Sequence, residues 1–435
     1  MGVSCGCYRV GMRTRPRLLA DTAPLRESRQ YRVLFFSEGL AFLGTQITVV
    51  AVPLQVYLIT HSSLAVGLVG LAQLGPLLAC SLVGGAVVDA VDRRTLMFWV
   101  QLARGTLSAG LAVNALTPHP GLWPLYLLTA LSAGLSAFDG PARMAVVPAL
   151  VRRELVPAAA ALHQIFTQVG SVAGPAAAGL IVAKASFSTA YAIDFGTFTT
   201  SALLALALRR LPPGEGGTRA GAASIWEGLR FLRGRPALRG TFVIDLNAMV
   251  FGMPRALFPA LGTGLFGGGP ATVGLLYAAP GAGALLGALL AGWVGSVRRQ
   301  GRAVLVAVAI WGLAISVFGL AAWLPLALVL LAVAGAADVF SAVFRNTILQ
   351  LTVPDGLRGR LSAIHVAVVT GGPRLGDAES GAVAALAGPR FSVVSGGLAC
   401  LAGVALIAWR IPELDRVSIA TQASPAPLPP EADAA

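Results

Sequence analysis

Apolar residues in this chain run on for about 20 residues at a time, interrupted by short stretches rich in Arg, Gly and Pro, with neither strand-like alternation nor a narrow helical stripe. A run of that length, coiled as a helix, crosses the roughly 30 Å hydrocarbon core of a bilayer. In hydrocarbon only a helix or a closed barrel satisfies every backbone N–H and C=O. The pattern predicts twelve spans, at about 33–59, 64–88, 95–116, 123–148, 158–183, 189–208, 240–261, 272–295, 303–322, 325–350, 361–386 and 391–409.

Composition agrees with an all-α integral membrane protein: 56% of the 435 residues are hydrophobic and 12% charged, against roughly 25% charged in soluble proteins. Mean hydropathy is +0.76. The net charge of +13 then reports topology rather than nucleic-acid binding. With both termini cytoplasmic, about 25 of the 32 Lys and Arg fall in the tails and in the loops leaving even-numbered spans, and about five lie within spans. Only Lys184 and Arg390 then face outward. The expected location is a bacterial cytoplasmic (inner) membrane, since arginine almost wholly replaces lysine in an Ala- and Gly-rich chain, as in a GC-rich bacterial gene.

Four cysteines give no disulfide framework, and the "CGC" of residues 5–7 lacks further ligands nearby, so no metal and no cofactor are expected. The first 32 residues carry seven Arg and no apolar core, so no cleaved signal peptide is expected. "MGVSCG" has the form of a myristoylation start, a modification not expected in such a gene.

The chain repeats. A shift of 207 residues lays "VGL" at 66–68 on "VGL" at 273–275, Gly85 on Gly292, and "DRR" on the basic loop "RRQGR". A shift of 202 lays Arg143 on Arg345, Leu155 on Leu357 and His163 on His365, and Gly170, Gly174 and Gly179 on Gly372, Gly376 and Gly381. Two six-helix halves follow, and since six is even they form a parallel repeat. The expected divisions are a basic tail (1–32), a first half (33–208), a polar connector (209–239), a second half (240–410) and a cytoplasmic tail (411–435) that composition predicts to be disordered. In the connector Ile225, Trp226, Leu229 and Leu232 keep helical spacing opposite Arg230 and Arg233. That suits either a helix at the cytoplasmic headgroups or a soluble helix capping the bundle.

The loop after the second span, "GGAVVDAVDRR", resembles the major facilitator superfamily signature G-x-L-x-D-R-x-G-R-R through Gly85, Asp89, Arg93 and Arg94, while Val87, Ala90 and Asp92 depart from it. The resemblance implies a cytoplasmic latch between the halves, in which a carboxylate and guanidiniums pair in one conformation and part in the next. The fifth span, "GSVAGPAAAG", resembles the superfamily's antiporter motif through Gly170, Gly174, Pro175 and Gly179, with Ala178 in place of one Gly. Glycines four apart let backbones approach closely and proline bends the helix, which implies an exporter. "AVPLQVYLITHSSLAVGL", "GLLYAAPGAGALLGALLAG" and "SAVFRNTILQLTVPDGLRGRL" resemble the enterobactin-exporter branch, related to macrolide and multidrug efflux proteins, over about Tyr31 to Glu413.

In that superfamily the first, fourth, seventh and tenth helices line a central cavity. Here those spans carry Glu38, Asp139 with Arg143, Asp245 with Arg255, and Asp338 with Arg345, while the eleventh carries Arg374, Asp377 and Glu379. Ionisable residues at such depth mark pathways. Helical spacing places Asp139 with Arg143 and Asp338 with Arg345 on shared faces, and lets Arg374 pair with Asp377; Glu379 lies about 160° round from Asp377 and must face another helix or the cavity. Loss of water favours a neutral carboxyl group, so one of Asp377, Glu379 and Glu38 is expected to bind a proton, with ion pairs holding the halves together as the alternative. His163 and His365 suit either packing or proton relay.

"GAGALLG" at 281–287 imitates a nucleotide-binding loop but sits inside an apolar span, and no G-x-x-x-x-G-K-[ST] exists to drive a pump with ATP. No HExxH or GxSxG appears, which leaves an intramembrane enzyme as the remote alternative. The expectation is a monomeric secondary exporter of a small amphiphilic compound, coupled to protons. The lineage implies a catecholate siderophore first and hydrophobic drugs such as macrolides second.

Overall fold

A computed structural model describes residues 21–211, 230–353 and 355–418. Ile225, Trp226 and Leu229 of the expected interfacial helix, and the tail from Thr421, lie outside the described residues. The helices used below are α1 (Arg29–Thr60), α2 (Ser63–Ala90), α3 (Arg93–Leu116), α4 (Leu122–Ser136), α5 (Asp139–Leu150), α6 (Val156–Lys184), α7 (Phe187–Leu206), α8 (Pro236–Phe251), α9 (Gly269–Leu289), α10 (Gln300–Leu320), α11 (Leu324–Thr352), α12 (Asp355–Ala387) and α13 (Pro389–Arg410). Among the described residues, nine helices are long and apolar enough to cross a membrane. At the three other expected spans stand α4 with α5, which is broken after Ser136; α7, which carries Asp194 among many Ser and Thr; and α12 with its three charges.

Polar residues between the apolar runs start the helices. Ser28, Ser62, Asp92 and Ser186 each accept a hydrogen bond from the backbone N–H three residues on, filling an orphan donor of the first turn. Asp92, a departure from the superfamily signature, therefore caps α3. Its other oxygen takes the Leu211 N–H at 3.0 Å and ties α3 to the chain after α7.

The seventh span is not one continuous helix. After α8 the chain breaks at Gly252–Pro254 and resumes in short helical segments, Arg255–Leu257 and Phe258–Ala260, followed by a π-helical turn, Leu261–Leu265. Pro254 removes a donor and Gly252 ends α8, so the break exposes backbone groups at membrane depth. Trp311 on α10 donates its indole N–H to Gly252 O at 2.8 Å and satisfies one of them. Trp311→Phe is expected to cost about 1–3 kcal/mol by leaving that buried carbonyl unpaired; a thermal-shift series in detergent checks it, and an unchanged midpoint refutes the assignment.

The second half packs around one apolar cluster drawn wholly from residues 232–414. The halves join where α6 runs along α9 and α2 along α12. Ala256 and Val273 of the second half complete the cluster of Val50, Leu54, Val66 and Ala178 in the first. Close approach needs glycine here: a Cβ on Gly179 would lie 2.7 Å from Pro270 O and 2.8 Å from Gly274 Cα, and one on Gly381 would lie 2.6 Å from Ser63 O. These contacts sit at the end of the bundle away from the chain termini. At the terminal end each half is tied to itself, through Ser28 on Leu150 O and through Gly301 N on Val417 O.

Candidate functional site

Two adjoining cavities occupy the interior between the halves. The first, about 220 Å³, lies between α1, α2, α3 and α4 on one side and the broken seventh span and α12 on the other; Thr45, Thr48, Arg104, Arg255, Arg374 and Asp377 bring its polar atoms. The second, about 340 Å³, lies against α6, α9 and α11 and is lined by Gln46, Phe42, Phe258, Trp311 and Asp338 among others. Small-molecule sites span roughly 300–1,000 Å³, so the first is small alone, but Val49, Arg255 and Tyr277 belong to both walls.

Arg255 stands at this junction because of the helix break. Asp377 on α12 accepts the Ala256 N–H at 3.1 Å, capping the segment that resumes there, and Tyr277 donates its hydroxyl to Arg255 O at 3.0 Å. This accounts for an acid at the centre of a membrane helix: its oxygen fills a backbone donor that the break leaves bare. Arg374, expected to pair with Asp377, instead donates to Thr370 O of its own helix, and its Nε has no partner among the described residues. Glu379 is half-buried and is not among the residues lining either cavity.

The other expected partners are also exchanged. Asp139, at the start of α5, pairs with Arg104 of α3 at 2.7 Å rather than with Arg143, because the break after Ser136 turns it towards α3. Arg104 also donates to Thr45 at 2.9 Å and lies over the Phe198 ring. Arg345 pairs with Asp245 of α8 rather than with Asp338. That bridge is buried, with side-chain exposures of 6% and 2%, and lies outside both cavities. Asp338 lines the second cavity, on the wall it shares with Arg255.

In the first half Glu38 faces His163 at 3.6 Å, and Arg143 lies within electrostatic reach of both. The 207-residue shift that aligns the "VGL" segments also lays Glu38 on Asp245, so Glu38, Arg143 and His163 repeat as Asp245, Arg345 and His365. One copy is closed by a carboxylate–guanidinium bridge. The other holds its carboxylate against an imidazole, with Glu38 and His163 side chains 16% and 25% exposed.

A family model described as "transmembrane secretion effector" matches residues 19–432. The chain belongs to that family of the major facilitator superfamily. The chain is 31% identical over 402 residues to the enterobactin exporter EntS of Escherichia coli O1:K1 / APEC, covering 92% of the chain and 95% of that protein, and matches EntS of Shigella boydii serotype 18 equally. Among solved structures it resembles the nucleoside transporter NupG, at 13% identity and TM-score 0.68, with 90% of this chain and 100% of that one covered. It also resembles a bacterial homolog of the human lysosomal transporter Spinster, at 15% identity and TM-score 0.67, covering 92% and 100%. The chain is thus a multi-pass membrane transporter, as the proteins it resembles are exporters and transporters by name.

The motif residues fall at close helix contacts and helix ends. Gly170 and Gly174 admit Phe42 and Gln46 of α1, and Gly179 meets α9. Gly85 and Asp89 lie in the last turns of α2. Asp89, Arg93 and Arg94 make no ion pair among the described residues, while the backbone N–H of Arg93 is held by Leu211 O at 3.1 Å. Two buried groups belong to no motif in the sequence. One is Arg104, the partner of Asp139. The other is Asp194, 1% exposed, whose Oδ2 accepts from Thr48 and Ser108 at 2.6 Å each. Span order placed Thr48, Ser108 and Asp194 on three helices of one half, but no spacing rule joins residues 146 apart.

Proposed function

We propose that this transporter exports a small amphiphilic compound across the bacterial inner membrane by proton antiport and alternating access, with both termini cytoplasmic. A catecholate siderophore of the enterobactin type is the first cargo, in line with what the similar EntS proteins are named for. The observation that carries the reading is the interior space walled by both halves, with Arg255 and Tyr277 on the shared wall and the halves touching at the end away from the termini. In the proposed orientation that end is periplasmic, so the space faces the cytoplasm, where cargo for export is loaded. Aromatic Phe42, Phe258 and Trp311 in the second cavity favour a hydrophobic drug as the second reading.

Glu38 is the proton carrier that the geometry favours. Asp377 is engaged as a cap, whereas Glu38 lies 3.6 Å from His163 without a hydrogen bond between them and within electrostatic reach of Arg143, so its carboxyl group is free to take up and release a proton. Proteoliposomes with an imposed proton gradient and a panel of siderophores and macrolides test both parts. Glu38→Gln is expected to lower gradient-driven transport at least tenfold while leaving cargo exchange without a gradient intact. Full gradient-driven activity in that variant excludes Glu38, and no transport of any cargo by the unaltered protein under a gradient rejects the antiport reading.

A further inference from the structure

We propose that a groove on the outer face of the second half binds one acyl chain of an anionic phospholipid, with the phosphate on Arg299 and Arg302. The groove, about 560 Å³, runs between α10 and α11 beside the short 3₁₀ helix Ala291–Ser296. It is distinct from the two interior cavities and shares no residue with them.

Its walls are two helical stripes. Val306 and Ile310 line it from α10, and Val333, Ala336 and Phe340 from α11, at the three- and four-residue spacings that put side chains on one face. Val333 to Phe344 covers about 16 Å of helix, close to the roughly 15 Å of one hydrocarbon leaflet. Val306 and Trp293 are about half exposed, so the groove opens sideways rather than into the protein. One end reaches the middle of α11. The other reaches the first turn of α10, at the terminal end of the bundle, where headgroups lie.

Charge identifies the occupant. The only charged side chains that line the groove are Arg299 and Arg302, both exposed and without an ion pair among the described residues. Arg298 adds a third exposed cation beside them. Trp293 packs at a tilt against Phe340, ring centroids 5.4 Å apart, and closes the polar end as an interfacial aromatic. An apolar slot one leaflet long, ending in two free guanidiniums, fits an acyl chain whose headgroup has the phosphodiester as its only charge better than that of a zwitterionic phospholipid, whose ammonium group would meet the arginines.

Native mass spectrometry of the full-length protein in detergent, titrated with palmitoyl-oleoyl phosphatidylglycerol or the matching phosphatidylcholine, tests this. The unaltered protein is expected to hold one phosphatidylglycerol at least fivefold more tightly than phosphatidylcholine. Arg299→Gln with Arg302→Gln should erase the preference. Val306→Trp, which fills the slot and keeps both arginines, should weaken phosphatidylglycerol at least fivefold. Equal affinity for the two lipids, a preference that survives the double substitution, or full displacement by inorganic phosphate would each overturn the proposal. So would a dimer that phosphatidylglycerol leaves intact and Val306→Trp dissolves, since the groove would then hold a second copy.

Discussion

Asp245→Ala is expected to destabilise the protein by about 3–5 kcal/mol, among the largest effects of a single substitution in this chain. The side chains of Asp245 and Arg345 are almost wholly enclosed. Removing the acid leaves a buried guanidinium without its counter-charge, held only through Nε on Ser341 O among the described residues, and the cost is that of the orphan rather than the worth of the bridge. Two consequences separate this from an ordinary cavity. Asp245→Leu combined with Arg345→Met should restore most of the loss, because apolar replacements of similar bulk remove both charges together. Glu38→Gln, at the equivalent position of the first half, should shift stability by well under half as much, because Glu38 is partly exposed and faces an imidazole instead of a guanidinium. Thermal unfolding in detergent, read separately for the single and double variants, checks all three. A double variant no better than Asp245→Ala would show that the bridge does more than cancel its own charges.

That contrast shows what the sequence made legible. Among the described residues nine of the twelve apolar runs fall on helices long and apolar enough to cross a membrane, because length and hydropathy are local and a bilayer leaves the backbone no alternative to hydrogen-bonding itself. The duplication was legible for a related reason: glycines at helix contacts and arginines at loop ends recur at fixed shifts, as Gly179 and Gly381 show in their close approaches to the other half. Partners were not legible. Helical spacing offers Arg143 to Asp139 and Asp338 to Arg345, yet Asp139 reaches Arg104 and Asp245 reaches Arg345. The reason is the same in both cases. Spacing ranks neighbours on one helix, but a buried charge takes whichever opposite charge the packing of different helices brings nearest. The "DGP" and "GMPR" segments carried the missing signal, since Gly and Pro inside an apolar run mark the breaks that aim Asp139 and Arg255.

The breaks and glycine contacts together lead to the conformational prediction. Gly179 and Gly274 press backbone on backbone, and no side chain stands between them to yield. In the proposed orientation this contact seals the periplasmic end, so a larger residue there opposes only the state in which that end is shut. Gly179→Val overpacks the seal at about 1–3 kcal/mol, which corresponds to a shift of roughly 5- to 150-fold towards the state open at that end. Spin labels placed on the terminal ends of α2 and α12 are expected to move closer together, labels on the opposite ends to separate, and transport to fall at least fivefold. Gly196→Ala provides the control, because a Cβ at Gly196 meets nothing within 4 Å, and it should alter neither distances nor rate. Were Gly179→Val to leave both label pairs and turnover unchanged, the contact of α6 with α9 would not be the closed gate, and the halves would have to part along the other seam, where α2 meets α12.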